Sequence, residues 1–361
     1  MADKLRVGII GCGGIAKGKH LPSLKTLDKD VDLVAFCDLI EERALNAREE
    51  YGSPGAKVYK DYQQLLDDKS IDVVHVLTPN RMHAEISINA LQAGKHVMCE
   101  KPMAKSAADA HRMVDAAKKS GKKLTIGYQH RHKPEASYVK SIIDRGDLGE
   151  IYYAQALAVR RRGTPTWGVF LNEYEQGGGP LIDIGTHSLD LTLFLMNNYK
   201  PKMVVGTKYK KLLNPDCSNR WGPWDEKQHT LEDSAFGFIV MQNGATIVLQ
   251  AAWCLNTIES IEAGSCALYG TKAGAQIKND EVSVNKDEFG HLVDMYPVLS
   301  GKGTGQHSPG KDTPAIIEAR RWIAAIKNNT DPLVLPEQAC VVSELLEAIY
   351  TSAASGKPVT F

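Results

Sequence analysis

Asp183 and His187, in the middle of the chain, are residue types that can move a proton, and they stand four apart. Leu181, Ile184, Leu191 and Phe194 recur around them at helical spacing, and Pro180 suits a first helical position. The spacing predicts a helix from Pro180 to about Met196, with carboxylate and imidazole as neighbours on one face. A carboxylate beside an imidazole fixes its tautomer and raises its pKa towards neutrality, which suits proton transfer. Gly177, Gly178 and Gly179, just ahead, read as room left in front of the pair. Asp and His at this spacing also suit a shared cation, but His75, His83, His96, His130 and His132 lack matching ligand spacing, so no metal is expected.

The first third of the chain supplies a redox partner for such a pair. Leu5–Ile10 is a short apolar run, fit for a strand buried in a parallel sheet. Gly11, Cys12, Gly13, Gly14, Ile15 and Ala16 follow and match G-x-G-x-x-G/A. Gly11 allows the tight turn, Gly13 lets backbone approach a pyrophosphate, and Ala16 permits close helix–strand packing. The N–H groups from Gly13 through Gly14, Ile15 and Ala16 open the next helix, where phosphates bind. A second strand, 31–37, ends in Asp38, which can accept both ribose hydroxyls of NAD and would repel the 2′-phosphate of NADP. NAD is the expected cofactor.

Helices over 41–51, 62–67, 83–92 and 107–120 then alternate with strands over 71–77, 96–99 and 123–126. That alternation predicts a doubly wound parallel sheet, an α/β fold. Its strand ends carry Thr78, Pro79 and Asn80, then Glu100, Lys101 and Pro102, then Gln129. Ligands of open α/β sheets bind at this edge.

Composition excludes several other classes. At 361 residues the chain exceeds what one core usually serves, so two domains are expected. Its formal net charge is zero with no block of like charges, which argues against nucleic-acid and membrane-surface partners. No secretory leader is read at the start and no apolar run approaches spanning length. The seven cysteines are scattered and odd in number, and read as reduced thiols of a cytoplasmic protein.

The ordered set Gly11–Ala16, Asp38, Thr78-Pro79-Asn80 with His83, Glu100-Lys101-Pro102 and Asp183-x-x-x-His187 resembles the glucose–fructose oxidoreductase / inositol dehydrogenase / rhizopine catabolism (Gfo/Idh/MocA) family over nearly the whole chain. The resemblance implies a Rossmann domain, then an α/β domain with a large open sheet, with the active site between them. It makes Lys101, Asp183 and His187 the catalytic group. Thr78, Asn80, His83, Glu100, Lys101 and Gln129 join the glycine loop and Asp38 as cofactor-binding residues. It also implies a cis bond before Pro102 and a homo-oligomer formed through the open sheet face. Beside a cationic nicotinamide the ammonium form of Lys101 is disfavoured, so its pKa should fall.

The domains are expected at 1–127 (NAD binding) and 128–361 (substrate binding and oligomerisation, with a mostly antiparallel sheet). Residues 151–160 alternate as a strand with Tyr152, Ala154, Ala156, Ala158 and Arg160 on one face. Strands are read at 203–211, 234–241, 245–253 and 265–269, with Asn243-Gly244 as a two-residue hairpin turn. Residues 161–178 read as an extended loop and a candidate lid, and 210–227 as a second long loop with Trp221 and Trp224. Residues 300–310, with Gln306 and His307, read as a mobile loop before a helix capped by Thr313; a last helix covers 337–355. Arg160 with Trp167 combines donors and a flat ring, which suits a sugar, so the substrate-binding set is Lys101, Arg160, Trp167, Asp183 and His187.

The expected activity is NAD-dependent oxidation of a secondary hydroxyl of a sugar, glycoside or cyclic polyol. The resemblance extends to glucoside 3-dehydrogenases, which favours the 3-hydroxyl of a glucoside. Alternatives are an NAD-dependent glycoside hydrolase working by oxidation and elimination, an inositol dehydrogenase, and a non-catalytic sensor of the same fold. Retention of Lys101, Asp183 and His187 argues against the sensor.

Overall fold

A computed structural model describes residues 4–212, 218–224, 229–299 and 312–361. Part of the 210–227 loop, all of 300–310 with Gln306 and His307, and Cys217 lie outside the described residues. Two compact units emerge: one runs to Gln129 and includes Asp312–Cys340; the other is His130–Lys311 with Val341–Phe361. The boundary expected at 127 falls beside Gln129. Asp312–Cys340, expected in the second domain, groups instead with the first. The reason is apolar burial: helix Pro314–Lys327 places Ala319, Trp322 and Ile323 in one core cluster with Val7, Leu24 and Phe36.

The first unit is built on β1 (Leu5–Ile10), β2 (Val31–Cys37), β3 (Lys57–Tyr59), β4 (Val73–Val76), β5 (His96–Cys99) and β6 (Leu124–Ile126). Their spatial order is β3-β2-β1-β4-β5-β6 and every pairing is parallel. This is the doubly wound order, whose switch point between β1 and β4 opens a crevice for a dinucleotide. Helices Glu41–Tyr51, Tyr62–Asp67, His83–Gln92 and Ala107–Ser120 form over the expected residues. Asp61 caps the second through Gln63 N (2.9 Å), and Ser106 the fourth through Asp109 N (3.1 Å). Edge strand β3 is too short for its alternation to be read.

The second unit carries β7 (Ile151–Val159), β8 (Pro201–Tyr209), β9 (Ser234–Met241), β10 (Thr246–Ala252), β11 (Ile261–Gly270), β12 (Ala273–Lys278), β13 (Glu281–Glu288), β14 (His291–Met295) and β15 (Val359–Thr360). They form one sheet ordered β14-β13-β12-β11-β7-β10-β9-β8-β15, antiparallel except for the β7–β10 pair. One face is apolar and buried: Ala154, Ala156, Ala158, Ile239, Ile247, Leu249 and Leu268. Helix Thr186–Met196 lies on it over β7 and β11. Gly206 and Gly237 face each other in register, and a Cβ on either would strike Ile349 at 2.4 or 2.6 Å. The last helix therefore sits directly on sheet backbone there.

Strands β12 to β14 escaped the sequence reading: β13 buries only Val282 and Val284, and no residue of β14 is buried. Their signal lay in the turns, Asn279-Asp280 and Phe289-Gly290, where all four residues have positive φ. Asn243-Gly244 corrects the hairpin expectation. Met241 N donates to Ala245 O (2.8 Å), so the loop has one residue more, and only Gly244 is left-handed. Helix Pro134–Asp144 was also unanticipated. The six described cysteines are free and buried. Among the described residues no helix is long and apolar enough to cross a membrane.

Candidate active site

In the first unit, the glycine loop joins β1 to the next helix, which opens with one wide turn over Ala16–His20. Gly11 has φ +94°, and a Cβ there would meet Leu77 O at 2.6 Å, so no other residue fits. Gly13 and Gly14 face open space, with nothing within 4 Å of a built Cβ. That is the surface a pyrophosphate needs. Asp38, at the end of β2, accepts Cys12 N–H through Oδ2 and Ile40 N–H through Oδ1, both at 2.8 Å. It therefore shapes the glycine loop and also precedes the Glu41 helix as a capping turn would; each oxygen keeps a lone pair for a ribose hydroxyl. Thr78 Oγ1, past β4, is buried with no hydrogen-bond partner among the described residues. A polar group of the cofactor would satisfy it. The loop, the carboxylate and this orphan hydroxyl fit NAD.

Asn80 opens the turn Asn80–Met82 beyond Thr78, and Gln129 follows β6. His83 lies between two backbone carbonyls. Buried, it sets Nδ1 2.7 Å from Pro102 O and Nε2 2.9 Å from Thr78 O. Each ring nitrogen faces a backbone carbonyl, and the one that carries the proton donates to it, so His83 sits wedged between the Thr78 and Pro102 segments. Burial pulls its pKa down, against the raising effect of those two carbonyls.

Glu100 likewise turns inward. Its Oε1 accepts from Lys19 Nζ (2.7 Å) and pairs with His20 Nε2 (2.8 Å), while Oε2 accepts the Lys101 N–H (3.1 Å). Lys19 also bonds Glu318 Oε2 at 2.8 Å, and His20 Nδ1 lies 3.1 Å from His75 Nδ1. Burial alone would raise the Glu100 pKa, but Lys19 and His20 outweigh it and hold the carboxyl well below its ordinary value. Next to this buried network stands half-buried Lys101, with the Lys101–Pro102 bond cis as the resemblance implied. Lys19, His20, His75 and Glu318 were missed in the sequence; the only signal was that charged residues interrupt otherwise apolar surroundings.

In the second unit, the acid–base helix begins with a wide turn over Leu181–Gly185 and continues as α-helix Thr186–Met196. The helix expected from Pro180 to Met196 is there; the wide first turn, a feature often found at functional sites, is new. Gly178 and Gly179 ahead of it do not leave space for a substrate. A Cβ on Gly178 would meet Tyr350 Oη at 2.1 Å, and one on Gly179 would meet Glu232 O at 2.5 Å. Glu232 Oε1 accepts Gly179 N–H (2.9 Å) and Tyr350 O–H (2.7 Å), so a buried carboxylate seats the helix start.

From Gly178 to Leu193 every residue is buried except Asp183. Its Oδ2 accepts the indole N–H of Trp253 at 2.9 Å. His187 is 8% exposed, and its ring stands edge-on to His130 with centres 4.8 Å apart. Trp253 and His130 were not singled out for the site, although Trp253 closes the alternating run of β10.

Residues 161–178 are more structured than a free lid. Arg162 bridges to Cys254, and Glu173–Gln176 is a short helix. Asn219 bonds Thr164 N and O, each at 3.0 Å, tying the segment to the second loop. Arg160 is not a solvated strand end: its guanidinium lies 5.2 Å over the Trp221 ring. Trp167, 50% exposed, packs edge-on against Trp221 and Phe170.

The fold and this equipment define an NAD-dependent oxidoreductase: a dinucleotide-binding unit and a second unit holding a carboxylate–imidazole pair. Residues 5–128 match the oxidoreductase family's NAD-binding Rossmann fold and residues 140–361 its C-terminal alpha/beta domain. The chain belongs to this Gfo/Idh/MocA family. It is 35% identical over 358 residues to the D-glucoside 3-dehydrogenase of Escherichia coli (strain K12), covering 99% of this chain and 98% of that one. It is 40% identical over 147 residues to an inositol 2-dehydrogenase of Salmonella typhimurium, covering 40% of this chain and 43% of the relative. Among solved structures, a levoglucosan dehydrogenase in complex with NADH and levoglucosan superposes with a TM-score of 0.83 at 23% identity, over 99% of both chains. At that identity the likeness speaks for the fold.

Proposed function

We propose that the protein oxidises the 3-hydroxyl of a glucoside to the 3-keto form, with inositol and free glucose as weaker substrates. The observation that carries this reading is half-buried Asp183 breaking the buried run from Gly178 to Leu193, its carboxylate held by Trp253, in a chain related end to end to a D-glucoside 3-dehydrogenase. Bound NAD supplies the hydride acceptor, nicotinamide C4. The hydroxyl proton goes to His187 or Lys101, and Asp183 orients the imidazole and stabilises its charged form. Asp38 makes NAD the preferred dinucleotide over NADP. Arg160 acts through Trp221, and Trp167 offers a ring face to the glycoside.

The protein works in the cytoplasm, without nucleic-acid or membrane partners, as a homo-oligomer. In support of the last point, the sheet face away from the helices carries a row of Gln155, Val248, Phe238 and Val205 in register, of which Phe238 and Val205 are 46% and 39% exposed. An open apolar face of this kind suits a second copy. A 3-deoxy glucoside tests the chemistry: NADH formation from it at the normal rate rules out C3 as the reacting centre. NAD returned unchanged while the aglycone is released would make the protein a hydrolase.

A further inference from the structure

Near the acid–base helix, three buried polar atoms stand without partners. His229 is 1% exposed, yet neither ring nitrogen has a hydrogen-bond partner among the described residues; the same is true of Trp224 Nε1, on a side chain 7% exposed. The rings form a chain: Trp224 to His229 with centres 6.0 Å apart, His229 to Trp253 at 6.2 Å, and Trp253 Nε1 on Asp183. Neighbouring acids are already engaged. Glu232 holds Gly179 and Tyr350, and Asp233 accepts Lys211 N–H, Leu212 N–H and Ser234 O–H. Lys210 Nζ donates to the His229 carbonyl at 2.6 Å and fixes its backbone. Buried polar atoms left this way are unfavourable unless a ligand or water completes them.

The chemistry of the three atoms selects the ligand. Burial, reinforced by Lys210, pulls the His229 pKa down to about 4, so the ring is neutral at physiological pH. A neutral imidazole offers one donor and one acceptor, and the indole adds a second donor. A phosphate or carboxylate would leave the imidazole acceptor unmet, and a cation would face two N–H donors. Hydroxyl groups donate and accept, and the C–H face of a sugar ring packs on indole.

Resting on the carbohydrate reading above, we propose that His229 and Trp224 form a sugar subsite beside Asp183, in which the imidazole grips hydroxyls of the glycoside ring other than the one oxidised. These are binding residues that set which sugar is accepted.

The test uses the full-length enzyme with NAD, and methyl β-glucoside with its 2-, 4- and 6-deoxy forms as probes. Binding is followed by tryptophan fluorescence and turnover by NADH. The subsite expects one deoxy form to bind about tenfold or more weakly than the parent, and that penalty to vanish in His229→Leu. KM should rise in His229→Leu more than kcat falls. Trp224→Phe, which loses the N–H together with part of the ring surface, should weaken binding less, and it guards against a His229→Leu chain that fails to fold. Deoxy penalties unchanged in both variants would mean that water alone completes these atoms, and the proposal falls. It falls too if neither the glucoside nor myo-inositol binds. Failure of the C3 assignment shows separately, as normal oxidation of the 3-deoxy glucoside while the His229 effect persists.

Discussion

The indole N–H of Trp253 donates to Asp183 Oδ2 at 2.9 Å, fixing the one carboxylate that the acid–base helix leaves only half-buried. Trp253 is itself wholly buried at the end of β10, so the acid is positioned by the sheet as well as by its own helix. Trp253→Phe keeps an aromatic ring, smaller than the indole, and removes the donor. A hydrogen bond to a charged group is worth about 1.5–3 kcal/mol, so kcat should fall roughly tenfold to a hundredfold with NAD affinity unchanged. Unaltered steady-state kinetics would mean that this bond does not position Asp183 for catalysis.

Lys101→Met and His187→Ala should each lower kcat by about 10²–10⁴. Because His187 belongs to the second unit, His187→Ala should still bind NAD as the unmodified enzyme does, measured by quenching of protein fluorescence. Near-normal turnover in both variants would remove these residues from the chemistry.

Asp38→Ser should narrow the preference for NAD over NADP by about 1–3 kcal/mol, the scale of one charge repulsion. It should also loosen the glycine loop, since the Cys12 and Ile40 amides lose their acceptor. Comparing kcat/KM for the two dinucleotides separates these effects: loosening alone weakens both equally.

Glu100→Gln breaks a buried ion pair with Lys19 and leaves that ammonium with only Glu318. Removing one partner of such a pair typically costs about 3–5 kcal/mol, so the melting temperature should drop by many degrees. Because Glu100 also accepts the Lys101 N–H, kcat should fall even where the variant is fully folded. A stable variant with normal kcat would show that the network does not position Lys101.

Acid should destabilise the fold well before carboxylates titrate. His96 and His229 are held down to about 4, mainly by burial, and His75 lies well below its ordinary value for the same reason. Their folded pKa values lie below the unfolded value of about 6.5, so the unfolded chain binds more protons in between. Stability is therefore fully present above about pH 6.5 and declines as pH falls towards 4. Melting curves at pH 7.5, 6 and 5 check this; replacing His96 by Gln should flatten the decline.

Much of this was legible from local pattern. The strand–glycine loop–helix grammar, Asp38, the strand-end residues and the Asp183–His187 spacing rest on short-range rules that survive folding. What was not legible depends on contacts distant in sequence. Nothing near Gly178 announces Tyr350, so those glycines looked like space, and nothing near Lys19 announces Glu100 and Glu318, so that lysine drew no notice. Helix Pro314–Lys327 shows an apolar face, but periodicity does not say which core will receive it. The hairpins of β12 to β14 failed for a different reason: their turns were readable, but the strands bury too few side chains to set up an apolar face, and Leu292 of β14 points to solvent.

Tyr350, far along the chain, rests against Gly178 and bonds the carboxylate that seats the acid–base helix, while Asp312–Cys340 completes the dinucleotide-binding unit. Neither half of the enzyme is finished by the residues that carry its chemistry. During synthesis, the glycine loop and Asp183–His187 leave the ribosome long before the segments that hold them in place. A nascent chain stalled before residue 312 should therefore expose two unfinished cores and depend on chaperones, and deletions between 312 and 350 should harm a centre written much earlier in the message.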